Sequence, residues 1–345
     1  MKIGLVGYKG SGKSTLFIWL TGTKPDPAHA HACQTATATI PEPRLEALAE
    51  IYHPKKITYA AMEIVDTPGL SRRHEGNAAR LAAIREAGCL ILVTAAFGGA
   101  DPAADVQSFS EDLLLADMEI VGNRIGRVEE AMKKPIPRQE RERLLHEEQT
   151  LKLVLAAMES GRPLRPEDMT EEQRKVTRPF GLMTEKPCMV IVNTADDEKD
   201  PGRFLQAMPA GIRALAIPVG LEWELARMNP EDRAEFEREM GVAAVDRGQL
   251  IRTIMDVSGQ MVFLTGGDKE VHSWLLRKGG TALEAAAAIH TDLARGFIRA
   301  EVMKCRDLVR LGSEREVKAQ HLIRQEPKDY VVQDDDILFV RFSVS

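Results

Sequence analysis

Short unbroken apolar runs alternate with helix-period stretches through much of this chain. Residues 2–6, 62–66, 89–94, 188–193 and 214–219 are each rich in Val, Ile, Leu or Met and show little polar alternation. Strands covered on both faces read this way, and helical stretches lie between them. The pattern predicts an α/β fold, a doubly wound and mainly parallel sheet with its ligand at the carboxyl ends of the strands. The alternation stops between about residues 101 and 181. Asp101-Pro102 supplies a helix N-cap followed by proline at the first helical position. Leu114, Met118, Val121, Ile125, Val128 and Met132 then recur at steps of four and three, a heptad seam. Pro135-Ile136-Pro137 must end that helix, and Leu144, Leu151, Leu155 and Met158 form the stripe of a second. These features predict an antiparallel coiled-coil hairpin inserted into the α/β domain, because a core strand resumes at residue 188.

From residue 261 the pattern changes again. Residues 261–265 and 271–276 read as strands, and Thr281-x-x-Glu284 is a capping box opening a helix over 285–294. Residues 329–342 read as two strands around the turn Asp334-Asp335-Asp336. Strands around one helix predict a small α+β module. The expected organisation is an α/β domain over 1–100 plus 182–258, a helical arm over 101–181 and a C-terminal module over 261–345.

Composition narrows the classes. The apolar fraction of 44% is ordinary for a folded protein. No run of about 18 apolar residues exists, so no membrane span is expected. Met1-Lys2-Ile3 enters a strand directly, without the parts of a signal peptide. Cys33, Cys89, Cys188 and Cys305 are far apart, and Cys89 and Cys188 lie in apolar runs, which predicts buried thiols in a reducing cytoplasm. A net charge of −6 argues against wholesale coating of nucleic acid, while leaving room for a local basic face.

The first apolar strand runs into Gly7-Tyr8-Lys9-Gly10-Ser11-Gly12-Lys13-Ser14, which fits G-x-x-x-x-G-K-[ST], the P-loop. A triphosphate is a dense polyanion. Backbone amides of a Gly-rich turn, a positive helix end and one ammonium hold it together. Lys9, Gly10, Ser11, Gly12, Lys13, Ser14 and Thr15 are the candidate nucleotide-binding residues; Lys13 would reach the β/γ-phosphates and Ser14 would hold Mg²⁺. Asp66-Thr67-Pro68-Gly69 ends the strand at 62–66, placing an acid for Mg²⁺ and the Gly69 amide for the γ-phosphate. Thr35, Thr37 and Thr39 lie in a Thr- and Ala-rich stretch. Thr35 is the favoured further Mg²⁺ ligand, with an edge strand presenting its hydroxyls to water as the alternative.

Asn193-Thr194-Ala195-Asp196 closes the fourth core strand and resembles the Asn-Lys-x-Asp base-reading element of GTPases, with Thr194 where Lys is usual. Asp196 can accept hydrogen bonds from guanine N1–H and N2–H₂, a donor pair that adenine lacks.

Taken with these motifs, the chain resembles the YchF/Obg-like ATPase family of translation-factor-class P-loop proteins nearly end to end. The marks are Pro43-Arg44-Leu45-x-Ala47-Leu48-Ala49, the helical insertion after Asp101-Pro102-Ala103, Lys186-Pro187, Ile289-His290-Thr291-Asp292 and Gly296-Phe297-Ile298-Arg299-Ala300. The last two resemble that family's TGS module, a β-grasp domain. The resemblance implies nucleoside triphosphate hydrolysis with GTP or ATP as substrate, ribosome association and a cytoplasmic role in translation or stress response.

Four departures bear on mechanism. Family members tend to carry Asn-x-x-Glu where this chain has Asn193 to Asp196, which shifts the expectation towards GTP. The Asp66-Thr67-Pro68-Gly69 element is closer to general GTPases. The loop that holds the family's catalytic His is cut to residues 95–100 and has none, and the switch loop before Pro43 is shorter. Many GTPases orient the attacking water with Gln after the D-x-x-G glycine, but here that residue is Leu70. Slow intrinsic turnover is expected, with His74 the candidate substitute and a partner or monovalent cation completing the site. In the C-terminal module Arg295, Arg299, Lys304, Arg306, Arg310 and Arg315 outnumber the intervening acids, which predicts a basic face suited to RNA phosphates and no DNA specificity. The helical arm is a second docking candidate. The rival reading is a non-hydrolysing nucleotide-sensing adaptor; a P-loop kinase fits poorly.

Overall fold

A computed structural model of the chain describes residues 1–26, 28, 32–73, 76–161, 168–240 and 245–343. The elements run β1 (Lys2–Val6), α1 (Lys13–Thr21), β2 (Gln34–Thr39), α2 (Arg44–Tyr52), β3 (Lys56–Thr58), β4 (Ala61–Asp66), α3 (Asn77–Arg85) and β5 (Cys89–Ala96). The arm follows as α4 (Pro102–Met132) and α5 (Arg138–Glu159), then α6 (Glu171–Thr177). Next come β6 (Cys188–Thr194), α7 (Gly202–Gln206), β7 (Arg213–Ile217), α8 (Val219–Leu225), α9 (Pro230–Met240) and α10 (Arg247–Val257). The last stretch is β8 (Gln260–Thr265), β9 (Glu270–Arg277), α11 (Ala282–Ile289), α12 (Thr291–Arg295), β10 (Phe297–Lys304), α13 (Cys305–Leu311), α14 (Glu314–Ala319), β11 (Arg324–Glu326) and β12 (Asp336–Phe342). Among the described residues, no helix is long and apolar enough to cross a membrane.

The chain divides into two compact units. The first comprises Met1–Ala36 and Ile64–Val245, the second Thr37–Glu63 and Asp246–Ser345. The α/β sheet has the order β2-β4-β1-β5-β6-β7. β1 pairs with β5, β5 with β6 and β6 with β7, all parallel. β5 is buried over nearly its whole length and β6 from its second residue on, as strands covered by helices on both faces must be. Val6, Leu92 and Val192 share a core with Val106 and Phe109 of α4, so the root of the arm belongs to the core of this domain.

The arm is two long helices reversed by residues 133–137. Asp101 caps α4 by accepting from the Ala103 and Ala104 amides at 3.0 and 3.2 Å. Val121, Ile125, Leu151, Val154 and Met158 are buried together, with Leu114, Met118 and Leu155 packed against them. A polar joint sits lower down. Asp117 is fully buried and accepts from Arg85 Nη1 at 2.7 Å, the Thr184 amide at 2.8 Å and Thr184 Oγ1 at 3.0 Å.

The second unit holds a sheet of order β11-β10-β12-β8-β9-β3 around α11. It corrects three expectations. Residues 37–63 cluster with this unit, because β3 pairs in parallel with β9 and the Ala60 amide donates to Ser273 Oγ at 2.8 Å. Residues 329–342 hold one strand, β12, beginning at Asp336; upstream of it Val331 makes only an isolated bridge to Thr281. Asp336 opens that strand because it is fully buried and bonded to Lys304 Nζ at 2.7 Å and Tyr330 OH at 2.8 Å. The helix expected over 285–294 breaks at His290, whose extended backbone and Nδ1, accepting from the Asp292 amide, start the short α12. The Thr281–Glu284 capping box is present. Of the cysteines, Cys89 is buried; Cys188 opens β6 as an exposed residue, yet burial pushes its thiol up to about 11; all four thiols are free.

Candidate functional site

The phosphate loop forms between β1 and α1 because its glycines stand where side chains cannot. Gly12 caps α1 with φ +96°, and a Cβ there would fall on Asn193 Nδ2. Gly69 approaches from the β4 side, and a Cβ on it would lie 2.8 Å from Lys13 Nζ and 2.9 Å from the Lys9 amide nitrogen. The two loops are stitched together: Lys9 N donates to Leu70 O at 3.2 Å and Leu70 N to Gly7 O at 3.0 Å.

Lys13 is buried at 6% exposure, and its Nζ donates to the Tyr8 carbonyl at 2.7 Å. Burial lowers this ammonium to a pKa of about 8, with Asp66 partly opposing the shift. Ser14 Oγ donates to Asp66 Oδ2 at 2.6 Å. Burial raises the Asp66 carboxyl above its ordinary range, against the Ser14 bond and the Lys13 charge. Its other oxygen, Oδ1, is buried without a hydrogen-bond partner, as is Ser11 Oγ. A half-buried acid with one orphaned oxygen, beside a serine hydroxyl and an ammonium, is a donor set that suits a divalent cation carrying a polyphosphate. These residues line a cleft of about 410 Å³ with Lys9, Gly10 and Gly69.

Asn193 is buried and works as a clasp. Its Nδ2 donates to Ser11 O at 3.0 Å, and its Oδ1 accepts from the Val219 amide at 3.0 Å. It thus ties the phosphate loop to the end of β6 and the start of α8. Thr194 is buried beside it, whereas Asp196 is exposed, with Oδ1 3.6 Å from where a Gly220 Cβ would stand. Thr15 is half-buried in the first turn of α1.

Other expected residues stand elsewhere. Thr35 is exposed on the edge strand β2 and does not line the cleft; Gln34 and Asp26 do. His74 lies outside the described residues. Leu70 is fully buried in the domain core and so points away from the cleft. In the C-terminal module the arginines have acidic neighbours. Arg295 pairs with Asp292 at 2.6 Å, Arg310 with Asp307 at 3.0 Å and Arg306 with Asp335 at 3.6 Å, while Arg299 stands opposite Arg341 in the β10–β12 register.

Sequence reasoning missed Tyr8, Arg72, Asp105 and Asp112. Tyr8 OH donates to Asp112 Oδ2 at 3.0 Å, and Arg72 Nη2 donates to both oxygens of Asp105 at 2.7 Å. The available signal was spacing: Asp105, Phe109 and Asp112 fall at i, i+4 and i+7 on the face that α4 turns to the core.

A Gly-rich loop and a strand-end acid converging at the carboxyl ends of parallel strands define the P-loop nucleoside triphosphatase class. Comparison with known proteins narrows this. The family model YchF-GTPase_C (DUF933) matches residues 261–343, and MMR_HSR1, described as 50S ribosome-binding GTPase, matches residues 2–124. "Ribosome-binding ATPase YchF" of Bacillus subtilis (strain 168) is 33% identical, covering 99% of each chain. "Obg-like ATPase 1" of Oryza sativa subsp. japonica is 35% identical over 100% of this chain and 93% of that protein. The solved "Structure of the Schizosaccharomyces pombe YchF GTPase" superposes with a TM-score of 0.84 at 24% identity, over 99% of this chain and 97% of that one. The chain belongs to the YchF/Obg-like ATPase family.

Proposed function

We propose that this chain is a Mg²⁺-dependent nucleoside triphosphatase of slow intrinsic turnover that cycles between states on the ribosome. The observation that carries the reading is the cleft itself: a buried ammonium, a serine hydroxyl and an acid with an orphaned oxygen converge on it beside the glycines of the phosphate loop. Ser14 and Asp66 would hold Mg²⁺, which when bound neutralises charge on the β- and γ-phosphates. Lys13 would exchange the Tyr8 carbonyl for phosphate oxygens, and the Gly69 amide would meet the γ-phosphate. Water attacks the γ-phosphorus and the β–γ bridging bond breaks, releasing phosphate. Leu70 is buried, so the position after Gly69 gives that water no partner, and low intrinsic turnover follows. Asp196 at the end of β6 favours guanine over adenine. Names of relatives support ribosome association, and with it a cytoplasmic location; the C-terminal β-grasp module and the arm are the surfaces offered to ribosomal RNA.

The burial of Leu70 also favours a second reading, a nucleotide sensor that binds without hydrolysing. Titration with fluorescent GTP and ATP analogues, followed by single-turnover phosphate release with and without ribosomes, separates the two. Lys13→Ala should weaken Mg-nucleotide affinity by about a hundredfold; unchanged affinity would overturn both readings. Ribosome-stimulated phosphate release supports the hydrolase, and nucleotide binding with no release under either condition supports the sensor.

A further inference from the structure

The two loops that face the cleft each send a side chain away from it, to the same helix. Tyr8 is buried; its hydroxyl bonds Asp112, and its ring meets Phe109 edge-on with centroids 6.0 Å apart. Arg72, three residues past Gly69, holds Asp105 through both carboxylate oxygens, and its guanidinium carbon lies 4.9 Å from the centre of the Tyr8 ring. One cation therefore bridges the phosphate loop and the D-x-x-G loop, and α4 grips both through carboxylates seven residues apart. Both acids are 8% exposed, and releasing Arg72 takes from the nearly buried Asp105 carboxylate the cation that holds both its oxygens. Such a contact is made or broken rather than stretched.

The inner ends of these side chains meet the nucleotide cradle. The Tyr8 carbonyl is the acceptor that Lys13 Nζ uses, and Gly69 packs against that same ammonium. A phosphate that takes the ammonium removes a bond from Tyr8, and a γ-phosphate that draws Gly69 pulls on the segment leading to Arg72.

We propose that Tyr8–Asp112 and Arg72–Asp105 form a latch by which the helical arm and the nucleotide cradle set each other's state. The four are positioning residues, acting through Lys13 and Gly69. The proposal rests on the nucleotide-switch reading and adds its direction of control: a partner that shifts α4 alters how the cradle meets the triphosphate, and by linkage bound nucleotide alters the arm. It also says how a site with Leu70 buried becomes responsive to what docks on the arm.

The test is amide hydrogen exchange of the full chain with and without saturating Mg²⁺ and a non-hydrolysable GTP or ATP analogue. In the wild type, bound analogue should change exchange rates in α4 beyond Phe109 by about fivefold or more. In the double variant Tyr8→Phe/Asp105→Asn, which keeps ring packing and side-chain shape, that response should vanish while the analogue still binds. A merely structural role would instead lower the melting temperature equally with and without nucleotide and leave the response intact, and that result overturns the latch. So does a wild-type arm indifferent to bound analogue. Failure of the wild type to bind either analogue would overturn the nucleotide reading itself, and the latch with it. If the double variant does not fold, Tyr8→Phe alone removes one hydroxyl and carries the same two outcomes.

Discussion

At the scale of single residues the cleft is governed by one desolvated charge. Lys13 sits at 6% exposure, and burial brings its pKa to about 8 from the ordinary 10.5. The folded chain therefore sheds this proton at lower pH than the unfolded chain, so Lys13 costs stability below about pH 8, and stability recovers as pH rises from there towards 10.5. A bound polyphosphate acts in the opposite sense and favours the charged form. Nucleotide affinity should be flat below about pH 8 and should fall above it by up to about tenfold per pH unit. Calorimetry in buffers of different ionisation enthalpy should record proton uptake on binding at pH 8.5 and little at pH 6.5. Equal affinity at both values would mean that Lys13 does not meet the ligand. This cradle was legible in the sequence because phosphate binding needs glycines, lysine and serine at fixed offsets along one segment. Its anchors were not, because Tyr8 and Asp112 are joined across 104 positions by a contact that no local spacing records.

Elements were legible where one physical demand acts along a whole segment. Residues 89–94 and 188–193 had to be strands because continuous apolar runs are burial on both faces, and the observed β5 and β6 extend them by only a residue or two; β4 extends 62–66 by one residue, with Glu63 and Asp66 only half-buried. The arm was legible from its heptad seam and its proline stop. Short-range chemistry blurred other boundaries: the His290 cap splits one expected helix, and the burial of Asp336 turns an expected turn residue into the first residue of β12. Nothing in the seam pattern marked Asp117, an acid at the buried face of α4, because periodicity counts only apolar positions. Asp117 holds α4 to Arg85 at the end of α3 and to the turn at Thr184. Replacing it by Ala strands the Arg85 guanidinium, itself only 18% exposed, without its carboxylate. Asp117→Ala should cost about 3–5 kcal/mol in urea unfolding, the range for breaking a buried pair by removing one partner. A cost below about 1 kcal/mol would show that the joint is solvated and that the packing of Val121 and Leu151 carries the arm alone.

At the scale of the whole chain, the order of segments in sequence and their grouping in space part company. Residues 37–63 follow the first helix of the nucleotide domain, yet they complete the sheet and surface of the C-terminal unit. β3 pairs with β9, Arg44 reaches the Asp334 carbonyl at 2.6 Å, and Tyr52 OH donates to Glu314 at 2.5 Å. Parallel pairing between segments some 214 residues apart leaves no trace in a hydropathy profile, and β3 is only Lys56–Thr58, too short to show alternation. The C-terminal module was therefore expected to begin at residue 261. A fragment covering residues 246–345 lacks the β3 edge and leaves the face of β9 and the carboxylates of Asp334 and Glu314 without their partners. It should melt well below the intact chain and bind a dye for exposed apolar surface. Adding a peptide of residues 37–63 should restore part of the lost stability, because pairing with the native state alone shifts the folding equilibrium by mass action. The rise in melting temperature should grow with peptide concentration and disappear when Tyr52 is replaced by Ala and Lys56 to Thr58 by glycines. A fragment as stable without the peptide as with it would mean that residues 37–63 rest on a module already complete.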